Sequence, residues 1–218
     1  MPGETIAVIG GTGKLGAAIA RRLAKAGRKV IIGSRSAQSA ERAAAELGLG
    51  LTGLANVDAA KTGGILIVTV PFAAQEQTLA EIAPHAVGKI VVDTTVPLVP
   101  PRVMRVQLPP EGSAAQRAQK LLGPDVKVVS AFHNVAAHKL ATDQDIDCDV
   151  LVFGDDKDAR ARVVALVTQT GLRGIQGGAL ANSAAAEAMT SVLIFINKTY
   201  QVDGAGVLIT GQLAAIDG

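Results

Sequence analysis

The 218-residue sequence predicts an α/β fold of the doubly wound class: a parallel sheet with helices on both faces, completed by a small C-terminal helical or α+β extension. Three observations predict it. Short, continuous apolar runs of buried-strand length recur along the chain, stretches of helical period separate them, and the first run leads straight into a glycine cluster. Strands that alternate with helical crossovers of this length are best accommodated side by side and parallel.

The first strand is expected at residues 5–9 and the first helix at 14–26, after the glycines. A strand at 29–33 and a helix at 37–47 repeat the unit, with Ser36 in the N-cap position, where its hydroxyl can accept from an otherwise unpaired backbone N–H. Strands at 51–54 and 65–70 follow, the second ended by Pro71. A helix at 74–82 leads to a strand at 89–92, and the proline-rich stretch 96–101 then stops the strand and stiffens a loop. A helix at 113–122 and a strand at 126–130 precede 131–138, an unusually polar turn for so apolar a chain. A strand at 149–153, a helix at 157–170 and a strand at 172–175 add one more α/β unit. The last helix, 181–200, carries Ser183, Glu187, Thr190, Ser191 and Lys198 on one side and Ala185, Met189, Val192, Leu193 and Ile196 on the other. Its apolar face is expected to be covered by the sheet or by a second subunit.

Hydrophobic residues make up 49% of the chain and charged residues 18%, enough for a buried core. Lys and Arg number 21 against 19 Asp and Glu, and no stretch gathers the basic residues as a nucleic-acid surface requires, so no nucleic-acid partner is expected. The single Cys148 cannot form an intrachain disulfide. Met1, Pro2, Gly3 and Glu4 run into the first strand without a basic leader, which points to a cytoplasmic protein. The apolar stretch 184–196 is shorter than the roughly 20 residues a bilayer needs and contains Glu187, Thr190 and Ser191, so a core or interface helix is expected and no membrane partner.

Gly11, Thr12, Gly13, Lys14, Leu15 and Gly16 form a G-x-G-x-x-G fingerprint directly after a buried strand and at the opening of a helix, the setting of a Rossmann dinucleotide site. The first glycine permits a tight turn, the second lets backbone approach a pyrophosphate, and the third allows close helix-to-strand packing, while the helix N-terminus attracts the phosphate charge. At the end of the second strand, where an NAD site offers a carboxylate to the ribose, this chain has Gly33, Ser34 and Arg35. Ser34 can donate to a 2′-phosphate and Arg35 can bind it as a charge-assisted fork, so NADP(H) is the expected cofactor.

Ligands of open α/β sheets lie beyond the carboxyl ends of the strands, which brings Val70, Pro71, Val96, Pro97, His133 and Asn134 to one crevice. No Cys/His metal set, H-E-x-x-H spacing, G-x-S-x-G elbow or P-loop ending is present, and no metal is expected. Nor is there a Tyr-x-x-x-Lys pair to protonate an alkoxide. Chemistry in which two cofactors react directly, positioned by the protein, fits this inventory.

The segments GGTGKLG at 10–16, GSR at 33–35, TVPF at 69–72, VSAFH at 129–133, GDD at 154–156 and LANS at 180–183 together resemble the NADPH-dependent reductases of the deazaflavin coenzyme F-420, over nearly the whole chain. The resemblance implies hydride transfer between NADP(H) and coenzyme F-420 in a homodimer. Residues 1–155 would form the NADP-binding Rossmann domain and 156–218 a small C-terminal domain completing the acceptor cleft. It further implies that Thr12 to Leu15, Ser34 and Arg35 hold NADP, that Val70, Pro71 and Ala137 border the nicotinamide, and that His133 and Thr190 face the second cofactor. His133 would take an electrostatic or positioning role. Three positions depart from the family pattern: Ser39 stands where a lysine is expected, Ala184 where an arginine is, and Ala188 where a serine is. The nucleotide half thus matches better than the acceptor half, and a flavin remains an alternative second redox partner. The other readings left open are an NADPH-dependent reductase of a small imine or carbonyl compound, with His133 or Tyr200 as proton donor, and a non-catalytic NADP(H)-sensing module.

Overall fold

The structure is a computed structural model that describes residues 4–214. Residues 1–3 and 215–218, at the outer ends of the two expected domains and including most of the N-terminal stretch read above, lie outside the described residues. In chain order the elements are β1 (Ile6–Ile9), α1 (Lys14–Lys25), β2 (Val30–Ser34), α2 (Ala37–Leu47), β3 (Thr52–Ala55), α3 (Asn56–Thr62), β4 (Ile65–Val68), α4 (Phe72–Ile82), β5 (Ile90–Asp93), α5 (Ala114–Leu122), β6 (Lys127–Ser130), α6 (Ala137–Leu140), β7 (Asp149–Gly154), α7 (Lys157–Gln169), β8 (Arg173–Gly178) and α8 (Ser183–Tyr200).

All eight strands join one sheet in the order β3-β2-β1-β4-β5-β6-β7-β8, and the first six run parallel. The order reverses between β1 and β4, the switch point at which a doubly wound sheet leaves a crevice. Central strands are buried on both faces, and successive side chains serve different cores. Ile6 and Val8 pack with Ile19, Leu23 and Ala40 under α1 and α2. Ala7 and Ile9 pack with Leu79, Ile82 and Ala115 under α4 and α5. This is the expected doubly wound α/β architecture with its Rossmann strand order.

Three features differ from the sequence reading. Helix α3, seven residues long and capped by Ala55 without a side-chain hydrogen bond, occupies a stretch for which no element was anticipated. It is too short to show a period, and it lacks a capping residue to announce it. Second, β7 runs antiparallel to β6, pairing only Val129 with Gly154 and Ser130 with Phe153, while β8 is parallel to β7. The connection between β6 and β7 holds only the four-residue α6 and passes over α1, where Arg22 donates to the carbonyls of Leu140 and Gln144 and also to that of Thr170 beyond α7. No long crossover helix returns the chain to the starting edge, so the last two strands enter from the other direction.

The third difference is the facing of α8. Its polar side is the buried one: Ser183, Glu187 and Ser191 are almost wholly enclosed, whereas Met189, Val192 and Phe195 are 40%, 42% and 52% exposed. The polar residues are paid for by partners on the sheet domain. Glu187 accepts from the backbone N–H groups of Ala114 and Ala115 (2.6 and 3.1 Å), and the Ser183 hydroxyl meets that of Ser113 at 2.8 Å. Helix α8 and its preceding turn, 180–200, also form a longer apolar span than 184–196, long enough by length and composition alone to cross a membrane. Its buried carboxylate is bonded to the first turn of α5.

Candidate functional site

At the carboxyl end of β1 the chain turns at Gly10, whose φ of +74° is left-handed and therefore suits glycine. The Gly11 N–H donates to Gly33 O at 2.8 Å, tying the turn to β2. Gly13 is the N-cap of α1 with no side-chain cap, no acidic residue follows in the first turn, and a Cβ added at Gly13 would meet only Gly10 O, at 3.4 Å. The N-terminal N–H groups of a 12-residue helix therefore face open space beside exposed Thr12 and Lys14, an arrangement suited to an anion. Gly16 is constrained from the other side, since a Cβ there would lie 2.4 Å from Thr69 Oγ1 and 2.8 Å from Gly11 Cα. Leu15 is half-buried against the core.

Ser34 closes β2 and is buried, while Arg35 is exposed and makes no hydrogen bond or ion pair among the described residues. Ser36 caps α2, its hydroxyl accepting from Ser39 N at 3.3 Å. Thus Ser39, where the resemblance led one to expect a lysine, completes a cap through its backbone. The turn also rests on Asn56, a residue the sequence reading missed: its buried side-chain oxygen accepts from Gly10 N at 3.2 Å. With no regular element anticipated there, nothing in the sequence distinguished it from a loop asparagine.

Gly13, Lys14 and Leu15 come together with Val70, Pro71 and Val96 around a cavity of about 340 Å³, which Thr69, Phe72, Thr94, Thr95 and Leu98 complete. Hydrogen bonds hold the strand ends that frame it: Thr69 Oγ1 to Ile9 O at 3.0 Å, and Thr94 Oγ1 to Val68 O at 3.0 Å. Pro97 is buried next to this wall, and Ala137 sits half-buried at the start of α6; neither lines the cavity.

His133, Asn134 and Thr190 are brought together at a second cavity of about 410 Å³, between the polar turn, α8 and residues 202–205. Asn134 donates to Ala186 O (2.9 Å) and to Thr190 Oγ1 (3.1 Å), and the Thr190 hydroxyl lies 3.1 Å from His133 O, so turn and helix are locked to one another. His133 is 7% exposed. Its Nε2 lies 2.9 Å from Ser130 Oγ, and its buried Nδ1 has no partner. Burial pushes the imidazole pKa down to about 4, so the ring is neutral across the physiological range. Tyr200, considered with His133 as a proton donor, is 71% exposed at the end of α8 and does not line this cavity. His138, on the rim, pairs with Asp203 at 2.8 Å. Ala184 and Ala188 are half-buried on α8, away from the cavity lining.

Two buried carboxylates near the site carry shifts that the sequence did not announce. Burial pushes Asp93, at the end of β5, up to about 6, against hydrogen bonds from Thr95 and Gln75 that favour its charge. Burial likewise pushes Glu187 up to about 7, opposed by the N–H groups of Ala114 and Ala115 and reinforced by the charge of Asp93. Among the described residues no group of three His, Cys, Asp or Glu side chains is placed to hold a metal ion.

Residues 5–97 match the model of the family described as NADP oxidoreductase, coenzyme F420-dependent. The chain is 40% identical to the F420-dependent NADP reductase of Methanocaldococcus jannaschii, over 94% of this chain and 97% of that protein. It is 38% identical to the F420-dependent NADP reductase of Methanothermobacter thermautotrophicus, over 94% of each. A crystal structure from Arthrobacter sp. FB24, assigned as an F420-dependent NADP reductase, superposes with a TM-score of 0.84 at 26% identity, covering 96% of this chain and 100% of that one.

Proposed function

The chain belongs to the coenzyme F420-dependent NADP oxidoreductase family, and from that membership we propose that it transfers a hydride reversibly between NADP(H) and the deazaflavin coenzyme F-420, without a covalent intermediate. The observation that carries this reading is a pair of cavities of complementary character. One opens on the uncapped N-terminus of α1 beside Lys14; the other is lined in part by His133, a buried, neutral imidazole whose Nδ1 has no partner.

In this reading the backbone of Gly11, Thr12, Gly13, Lys14, Leu15 and Gly16 receives the pyrophosphate, and Ser34 and Arg35 bind the 2′-phosphate as hydroxyl donor and cationic fork. The uncapped helix end and the unpaired Arg35 fit such a group. Val70, Pro71 and Val96, with Pro97 behind and Ala137 nearby, border the nicotinamide. Asn134 and Thr190 shape the acceptor side. The two bound rings supply the hydride and its destination, and the protein contributes orientation and exclusion of water.

His133 is assigned an electrostatic role. In the tautomer in which Ser130 donates to Nε2, the proton of the neutral ring sits on Nδ1 and can be given in a hydrogen bond to a carbonyl edge of the second cofactor, easing the negative charge that builds there. A group held near pKa 4 is a poor general acid at neutral pH, which disfavours the small imine or carbonyl substrate.

The division into a nucleotide-binding part, 1–155, and an acceptor-side part, 156–218, belongs to the same proposal, as does a cytoplasmic location. So does a homodimer formed through the outward stripe of Met189, Val192 and Phe195, which the described residues of its own chain leave exposed. The test is NADPH oxidation followed by absorbance, with coenzyme F-420, FMN, FAD and riboflavin offered in parallel at equal concentration. Selective turnover with the deazaflavin is expected. Preference for a flavin would make the acceptor site a flavin site, and no oxidation with any of them would leave a sensing module.

A further inference from the structure

A buried run of hydrogen bonds leads from the nucleotide-side cavity to Glu187 on α8, one helical turn from the acceptor-side cavity. Thr95, which lines the nucleotide-side cavity, donates to Asp93 Oδ1 through both its N–H (3.2 Å) and its hydroxyl (2.6 Å). Asp93 Oδ2 accepts from Gln75 Nε2 at 2.7 Å, and the same amide donates to Ala114 O at 3.0 Å. Ala114 in turn donates its own N–H to Glu187. Glu187 lies one helical turn before Thr190, which lines the acceptor-side cavity and holds Asn134. None of the four side chains in the chain is more than 2% exposed.

Stability alone does not call for this arrangement. Two neighbouring carboxylates are buried where apolar residues of similar size would pack at lower cost, and a buried polar network of this kind contributes specificity of register instead. Register along α8 rests on directional contacts of this kind, together with those of Asn134 and Ser113. Of its buried residues Ser183, Ala186, Glu187, Ser191 and Leu193, only Leu193 is a large apolar side chain. Interdigitating side chains therefore do little to fix where along its axis the helix sits, and directional bonds do it instead, those of Glu187 to the first turn of α5 on the side of the nucleotide half and those of Asn134 on the side of the acceptor cavity.

We propose that the chain Thr95–Asp93–Gln75–Ala114–Glu187 is a positioning strut through which nucleotide bound against Thr95 orders α8 and, with it, the Asn134–Thr190 corner of the acceptor cavity. Glu187 is its positioning residue on the acceptor side and Gln75 the joint between the halves. The inference rests on the proposed reading of the two cavities as nucleotide and acceptor sites. Coupling requires an element with two arrangements whose balance both ligands bias, and in this proposal α8 is that element, held in its docked arrangement by directional bonds.

The test is amide hydrogen exchange of the full-length protein with and without NADPH, no acceptor present, for the wild type and for Glu187→Gln and Gln75→Met. NADPH is expected to slow exchange in α8 by about fivefold or more in the wild type, the lower end of ordinary coupling. In the variants this protection disappears while NADPH affinity stays within about threefold. Absence of protection in the wild type, its persistence in both variants, loss of NADPH affinity in both, or failure of both to fold would each overturn the strut. Because no acceptor enters the measurement, failure of the hydride-transfer reading shows separately, as a lack of deazaflavin turnover by a wild type whose α8 still responds to nucleotide.

Discussion

Replacing His133 with Gln removes an ionisable ring from a buried site and leaves a neutral side chain able to hydrogen-bond. The imidazole pKa is about 4 in the folded protein against 6.5 for the unperturbed group. A depressed pKa on a base means that the unfolded chain takes up the proton first, so stability is fully present above pH 6.5 and is lost as the pH falls toward 4. Integrating over that difference, the wild type loses about 2.5 kcal/mol through this one group between about pH 7.5 and about pH 4.5. His133→Gln does not lose it. The assay is urea unfolding of both proteins at the two pH values, read as the difference of differences, so that any general cost of the substitution and the common titration of carboxylates cancel. With about 2 kcal/mol per molar urea for a protein of this size, the wild-type midpoint should fall about 1 M further than that of the variant. If both midpoints fall in parallel, His133 is not held neutral by burial, and its assignment as a hydrogen-bond donor loses its basis.

Gly16→Ala places a methyl group 2.4 Å from Thr69 Oγ1, and the forced shift should cost about 1–3 kcal/mol in chemical denaturation and weaken NADPH binding; a variant as stable and as tightly binding as the wild type would contradict the close helix-to-strand packing. Arg35→Asp puts a carboxylate where the 2′-phosphate is proposed to lie and should reverse the preference between NADPH and NADH, read as the ratio of kcat/KM values; an unchanged ratio would remove Arg35 from the site. Val192→Glu charges the middle of the exposed α8 stripe and should shift the sedimentation coefficient from that of a dimer to that of a monomer without altering NADPH affinity, whereas an unaltered coefficient would place the interface elsewhere.

The nucleotide side was legible because its signals are local. A strand of buried length, a glycine turn and a helix opening lie within residues 6–25, and Ser36 announced a cap that the structure places on Ser39 N. His133 and Asn134 were expected from the strand ends, and Thr190 from the family resemblance; the three converge on one cavity, but it is separate from the one lined by Val70, Pro71 and Val96, so the single crevice expected is divided in two. What could not be read was direction and facing. Periodicity tells which side chains of α8 share a face, not which face turns inward, and the polar face turns toward the domain because Glu187 finds its partners 72 and 73 positions earlier in the chain. Likewise, nothing in the composition of 149–153 says that β7 runs against its neighbour. That orientation follows from where the preceding segment crosses α1.

The same crossing imposes an order on synthesis. Strands β1 to β5 draw on the first 93 residues and pair with one another, so their layer can assemble while the rest of the chain is still being made. Arg22, placed early on α1, must wait: its acceptors at Leu140, Gln144 and Thr170 emerge 118 to 148 residues later. Until then the guanidinium and the face of α1 around it remain solvated. The last third of the chain then docks onto a layer already paired, and a nascent chain stalled before residue 140 leaves that face of α1 without its native partners.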